Sequence, residues 1–144
     1  MIFLVLINST IFILLSFLHI YWALGGNRGM SAVIPSVSEN QRFYKPNIYA
    51  TFSIGGLMGL FALVTIGNLN IFMPYIPVSY FQYATIGIGV IFIMRAVGDF
   101  TYIGFFKKAT GTAFAKNDTR YYTPLCIIIA FISFAIAVLG MVQL

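Results

Sequence analysis

An all-α, membrane-embedded four-helix bundle is the fold this chain predicts, and three observations carry it. The 144 residues are 60% hydrophobic and only 8% charged, against roughly 25% charged in a soluble domain. Eight basic and three acidic side chains cannot cover a surface that faces water. Four stretches, 2–24, 48–70, 78–103 and 123–142, reach the about 20 predominantly apolar residues that a spanning helix needs. Runs such as CIIIAFISFAIAVLG lack the polar every-other position of a transmembrane barrel strand, which leaves helices. The length fits a single domain, 1–144.

The first span has neither a basic n-region nor a small-residue cleavage site, so it is expected to stay in the mature protein as a span. Gly25-Gly26-Asn27 ends it by adopting left-handed backbone. Loop one, 25–47, closes on Lys45-Pro46-Asn47, where Pro46 suits the lead-in to the second span. That span carries Gly55 and Gly59, a G-x-x-x-G spacing that lets helices approach closely. Pro74 and Pro77 in NIFMPYIPV make a stiff, uncharged turn to an antiparallel neighbour, and Gly87 and Gly89 thin the third span. Loop three, 104–122, holds FFKKATGTAFAKNDTRYY. Its Phe105, Phe106 and Phe114 are expected to anchor at the membrane surface while the lysines reach toward headgroups.

An even number of spans puts both termini on one side. Loop one carries Arg28, Arg42 and Lys45, loop three carries Lys107, Lys108, Lys116 and Arg120, and loop two carries no charge. The positive-inside rule therefore places loops 25–47 and 104–122 in the cytoplasm and both termini outside. Tyr75, Tyr80 and Tyr83 then mark the outer interface, and Tyr44, Tyr49, Tyr102, Tyr121 and Tyr122 the inner one. The net charge of +5 reads as attraction to anionic membrane lipids, not to nucleic acid, because the basic residues lack the aromatic interleaving of a single-strand groove.

Chemistry concentrates in two segments. RAVGDF places Arg95 and Asp99 four residues apart near the end of the third span, on one helix face and about 6 Å apart along the axis. Neither charge is tolerated alone in a membrane, so an Arg95–Asp99 pair is expected. His19 and Trp22 end the first span at similar depth. If the first and third spans face each other, Asp99 sets the imidazole tautomer and gives the pair acid–base potential. His19, Arg95 and Asp99 become the polar floor of a cavity, Trp22 and Tyr102 its rim, and Arg28 or Lys107 the contact for an anionic group. The plainer readings are an Arg95–Asp99 packing lock, Trp22 as an interface residue, and Ser16 bonded back to its own helix. Glu39 and Asp118 are expected to cap helices or to pair with Arg42 or Arg120. Asn8, Ser9, Thr10, Asn68, Asn70 and Gln82 form an outer polar patch.

Other chemistries find no pattern. Cys126 is the only cysteine and reads as a small apolar side chain that cannot form an intramolecular disulfide. One histidine, one cysteine and three scattered carboxylates do not make a zinc site, so no metal and no cofactor are expected. There is no G-x-S-x-G elbow, and GGNRG at 25–29 lacks the Walker spacing.

HIYWALGG (19–26), RAVGDF (95–100), GFFKK (104–108) and FAKNDTRYYTPLC (114–126) together resemble a family of small bacterial integral membrane proteins with four helices and no assigned biochemical function. The resemblance covers nearly the whole chain and implies the same four-span fold, with a place in the bacterial inner membrane. It carries across no catalytic or ligand-binding residue. Three functions follow as expectations. The first is a cytoplasm-facing cavity for a lipid or small amphiphile. The second is a membrane enzyme in which His19 shuttles a proton, Asp99 orients it and Arg95 stabilises negative charge. The third is a structural or interaction subunit, including a homo-oligomer, with Gly55 and Gly59 at the partner face. A transporter or channel ranks below these, because four helices without an internal repeat need a second copy.

Overall fold

The computed structural model describes residues 1–34, 47–108 and 110–142, which contain helices and no strand. The helices are α1 (Ile2–Ala23), α2 (Met30–Val33), α3 (Ile48–Gly67), α4 (Val78–Val97), α5 (Ala113–Asn117) and α6 (Thr123–Val142). A widened π-turn, Asp118–Tyr122, fuses α5 to α6. Four units are long and apolar enough to cross a bilayer: α1, α3, α4 and the fused helix Ala113–Val142. The all-α four-helix bundle is therefore the observed fold, and its pattern is that of a multi-pass membrane protein.

Helix ends follow local chemistry. Gly25, with φ +98, stops α1 while the Gly26 and Gly25 amides close on the carbonyls of Tyr21 and Trp22. Asn47 caps α3 by accepting from the Tyr49 amide at 2.9 Å; Pro46, Glu39, Arg42, Tyr44 and Lys45 lie outside the described residues. The second span ends at Gly67, three residues before the expected limit, and the third at Val97 instead of 103. Gly98 stops α4 with φ 88 and ψ −168, a backbone region essentially restricted to glycine. Gly104 comes back against it so closely that a Cβ on either would strike the other's backbone neighbourhood, the Ile103 or Val97 carbonyl.

α1 packs along α3, and α4 along α6, over most of their lengths; the α3–α4 and α1–α6 seams are looser. Small residues set the two close contacts. A Cβ on Gly55 would lie 3.1 Å from Ile20 and 3.4 Å from His19, so the G-x-x-x-G face is used inside the chain. Ser16 donates across this contact to the Gly55 carbonyl at 2.8 Å, where a bond to its own helix was expected. A close backbone approach makes that cross-helix acceptor reachable, and such bonds are worth about 0.6 kcal/mol and at most about 1.7 in membrane bundles.

Phe12, Phe61 and Phe92 meet at the centre of the bundle with ring centroids 5.6 to 6.3 Å apart. On the terminal side of this triad two members of the expected polar patch make buried bonds to residues outside it, Asn8 donating to Ser133 at 3.1 Å and Asn68 to Thr85 at 2.8 Å, while Ser9 bonds back to the Val5 carbonyl of its own helix. The two asparagine bonds each tie neighbouring helices together and satisfy donors that lipid cannot.

A candidate ligand cavity and its ionic anchor

After Gly98 the chain folds into a compact turn. One oxygen of Asp99 accepts from the amides of Thr101, Tyr102 and Ile103 at 2.7 to 3.0 Å. With the Ile103 bond foremost, these donors hold the exposed carboxyl below the usual aspartate value. The Phe105 amide returns to the Ala96 carbonyl at 3.0 Å. Asp99 is thus committed to backbone on the solvent side, and the expected Arg95–Asp99 pair does not form. The i, i+4 geometry requires a helix through both residues, and α4 ends between them.

Arg95 pairs with Asp118. Its Nη2 donates to Asp118 Oδ1 at 3.0 Å, while Lys107 Nζ and the Gly104 amide donate to Oδ2 at 3.1 and 2.8 Å. The Asp118 side chain is fully buried and that of Lys107 is 4% exposed. Lys107 also donates to the Gly104 carbonyl at 3.0 Å and to the Thr119 hydroxyl at 2.6 Å. The π-turn makes this possible: the Thr123 amide reaches the Asp118 carbonyl, five residues back, so Asp118 and Thr123, both fully buried, share the inward face. Lys107 is therefore an internal side chain and not the headgroup contact expected from the sequence. Asp118 pairs with neither Arg120, which lies over the Tyr121 ring at 5.3 Å, nor a helix end.

Beside this cluster lies a cavity of about 460 Å³ to which all four spanning helices contribute. Its wall is mostly apolar, with Leu15, Met58 and Ile129 among the aliphatic contributors and Phe92 of the aromatic triad at its inner end. His19, Trp22, Arg95, Tyr122 and Cys126 supply the heteroatoms, with the Met58 sulfur. His19 Nδ1 lies 2.7 Å from the Leu15 carbonyl; a carbonyl only accepts, so Nδ1 carries the hydrogen. The His19 and Trp22 rings meet edge to face at 5.3 Å. Trp22 donates to the Arg28 carbonyl at 2.9 Å and Tyr122 to the Ala32 carbonyl at 3.2 Å. Those two bonds tie α2 and the segment leading into it to α1 and the π-turn, and Val33 of α2 joins the cavity wall.

Of the residues singled out from the sequence, the structure brings His19, Trp22 and Arg95 to one wall and leaves Asp99, Tyr102, Arg28 and Lys107 off it. Among the described residues His19 has no carboxylate hydrogen-bond partner, so the His19–Asp99 dyad is absent; α1 packs on α3, and Asp99 lies beyond the helix. Phe114, expected at the membrane surface, is buried and lines the cavity against Tyr122 at 6.1 Å, because α5 continues into the bundle. Phe105 and Phe106 are exposed, as an interfacial anchor requires. Sequence reasoning missed Asp118 and Tyr122. Asp118 carried one legible signal, being the remaining acid beside a basic-rich loop, but its aim depends on the π-turn.

Three or more histidine, cysteine or acidic groups able to share a metal ion do not occur among the described residues. No curated protein and no solved structure matches the chain. A family model described as "Protein of unknown function (DUF3995)" matches residues 12–133, a segment that contains every cavity residue and the whole ionic cluster, and the chain belongs to that family.

Proposed function

We propose that this membrane protein takes a lipid or small amphiphile into the cavity between its four spans, on the cytoplasmic side of the cell membrane. The observation that supports this reading is the cavity of about 460 Å³ with Arg95 and His19 on an otherwise apolar wall. Small-molecule sites of roughly 300–1,000 Å³ have this make-up, apolar lining with few convergent polar groups. An ionisable side chain at membrane depth is costly unless it serves a partner or a ligand. Orientation rests on charge: the loops at the cavity end contain all eight lysines and arginines except Arg95, and loop two has none.

A structural role is favoured for the Asp118 cluster itself. Both oxygens of its carboxylate are engaged, by Arg95, Lys107 and the Gly104 amide, which suits a fixed tie between α4, the turn and α6.

The test compares wild type with Ile91→Trp, purified in mild detergent and examined by native mass spectrometry and thermal unfolding. Ile91 lines the cavity and is 49% exposed, so the larger ring blocks space without overpacking the core. The expected result is a lipid-sized adduct on wild type that the folded variant lacks. Bare wild type whose melting temperature is indifferent to added monoacyl amphiphiles would sink the reading.

A further inference from the structure

Resting on that reading, we infer that the ligand is a single-chain amphiphile with an anionic head, a carboxylate or a phosphate, held at Arg95. Two buried or half-buried cations, Arg95 and Lys107, share one carboxylate, Asp118. Among the described residues the cluster carries one excess positive charge beside an apolar cavity, where an uncompensated ion is expensive. Asp99, the other acid among the described residues, is taken up by three loop amides. Lys107 spends its contacts on Asp118, Gly104 and Thr119. Among the described residues Arg95 uses one bond of its five N–H donors; it is 32% exposed and lines the cavity. It is the member of the cluster with capacity for an anion.

The rest of the wall selects what carries that anion. Ile54, Leu57 and Ile91 line the cavity and are 43%, 43% and 49% exposed. They flank the looser α3–α4 seam, which gives an acyl chain a sideways route from the bilayer. Phe92, packed against Phe12 and Phe61, stops the chain at the bundle centre. About 460 Å³ is near the small end of ligand sites, which fits one chain and leaves no room for the second chain of a diacyl lipid.

Trp22 is the only tryptophan and lines the cavity, so its fluorescence reads occupancy directly. Full-length protein in mild detergent at alkaline pH is titrated with 9,10-dibromostearate and with 9,10-dibromostearyl alcohol, whose bromines quench indole. Quenching that saturates, is reversed by plain oleate and shows at least about tenfold tighter binding of the acid than the alcohol is expected. Arg95→Gln should bring that ratio near one. Competition by oleoyl lysophosphatidate against oleate distinguishes a phosphate head from a carboxylate. Saturable quenching of equal affinity for acid and alcohol overturns this inference while the cavity reading stands. Linear, uncompeted quenching by both overturns the two together. Should Arg95→Gln fail to fold, the acid-to-alcohol ratio in wild type decides alone.

Discussion

The guanidinium of Arg95 lies 3.0 Å from the carboxylate of Asp118, a residue 23 positions further along, and not against Asp99, four positions away. The bond joins the end of α4 to the π-turn that begins α6. It makes one carboxylate the meeting point of two helices and the turn between them.

Asp118→Asn should therefore be the most damaging conservative change in the protein. It leaves Arg95 and Lys107 without a counter-charge, and breaking a buried pair costs about 3–5 kcal/mol. The low end, about 3 kcal/mol, is expected because Arg95 is 32% exposed. Thermal or denaturant unfolding in detergent checks it, with Asp99→Asn beside it as the milder change. The reverse order would mean that Asp99 is the true partner.

Gly98→Ala should destabilise the turn. Its φ of 88 and ψ of −168 cost a side chain about 1–3 kcal/mol, and the added Cβ meets the Ile103 carbonyl. Because the Gly104 amide is one of the Asp118 donors, amides of 99–108 should exchange faster with deuterium. Unchanged exchange there would refute the close crossing of the two glycines.

The stability of the same turn should depend on acid pH through Asp99. Its folded pKa is lowered, so the carboxylate's contribution is complete above the unfolded value and is lost as pH falls through the folded one. Carbon NMR of labelled aspartates in micelles should find Asp99 titrating below the usual aspartate range. In Thr101→Pro, which removes one of the three amide donors, the value should move back toward normal.

Along the α1–α3 contact, Ser16→Ala should cost about 0.6 kcal/mol and Gly59→Ala little, since its nearest neighbour would be Ser16 Oγ at 3.5 Å. Gly55→Leu should separate the helices, because even a Cβ is tight at 3.1 Å. A melting series in one detergent ranks the three; equal losses at both glycines would put the contact elsewhere.

Span number and span order were legible because they depend on quantities local to the chain: about 20 apolar residues per crossing, and charges confined to alternate loops. Gly25 and Gly55 were legible for the same reason, one as a stop and one as a small face. The outer polar residues were recognised as a group, but their partners across helices were not. Arg95, His19 and Trp22 were legible as unusual side chains at one depth, which is a matter of distance along a helix.

The sequence by itself determined that the protein is four apolar helices with basic loops at one end, since hydrophobic length needs no neighbour to be read. Only the tertiary structure decided that Arg95 belongs to Asp118, that Lys107 and Phe114 turn inward, and that a cavity opens beside them. Those outcomes depend on where α4 stops and on one extra residue in the turn at Asp118–Tyr122. A shift of a single residue rotates a helix face by about 100°, and periodicity does not say which neighbour that face will meet.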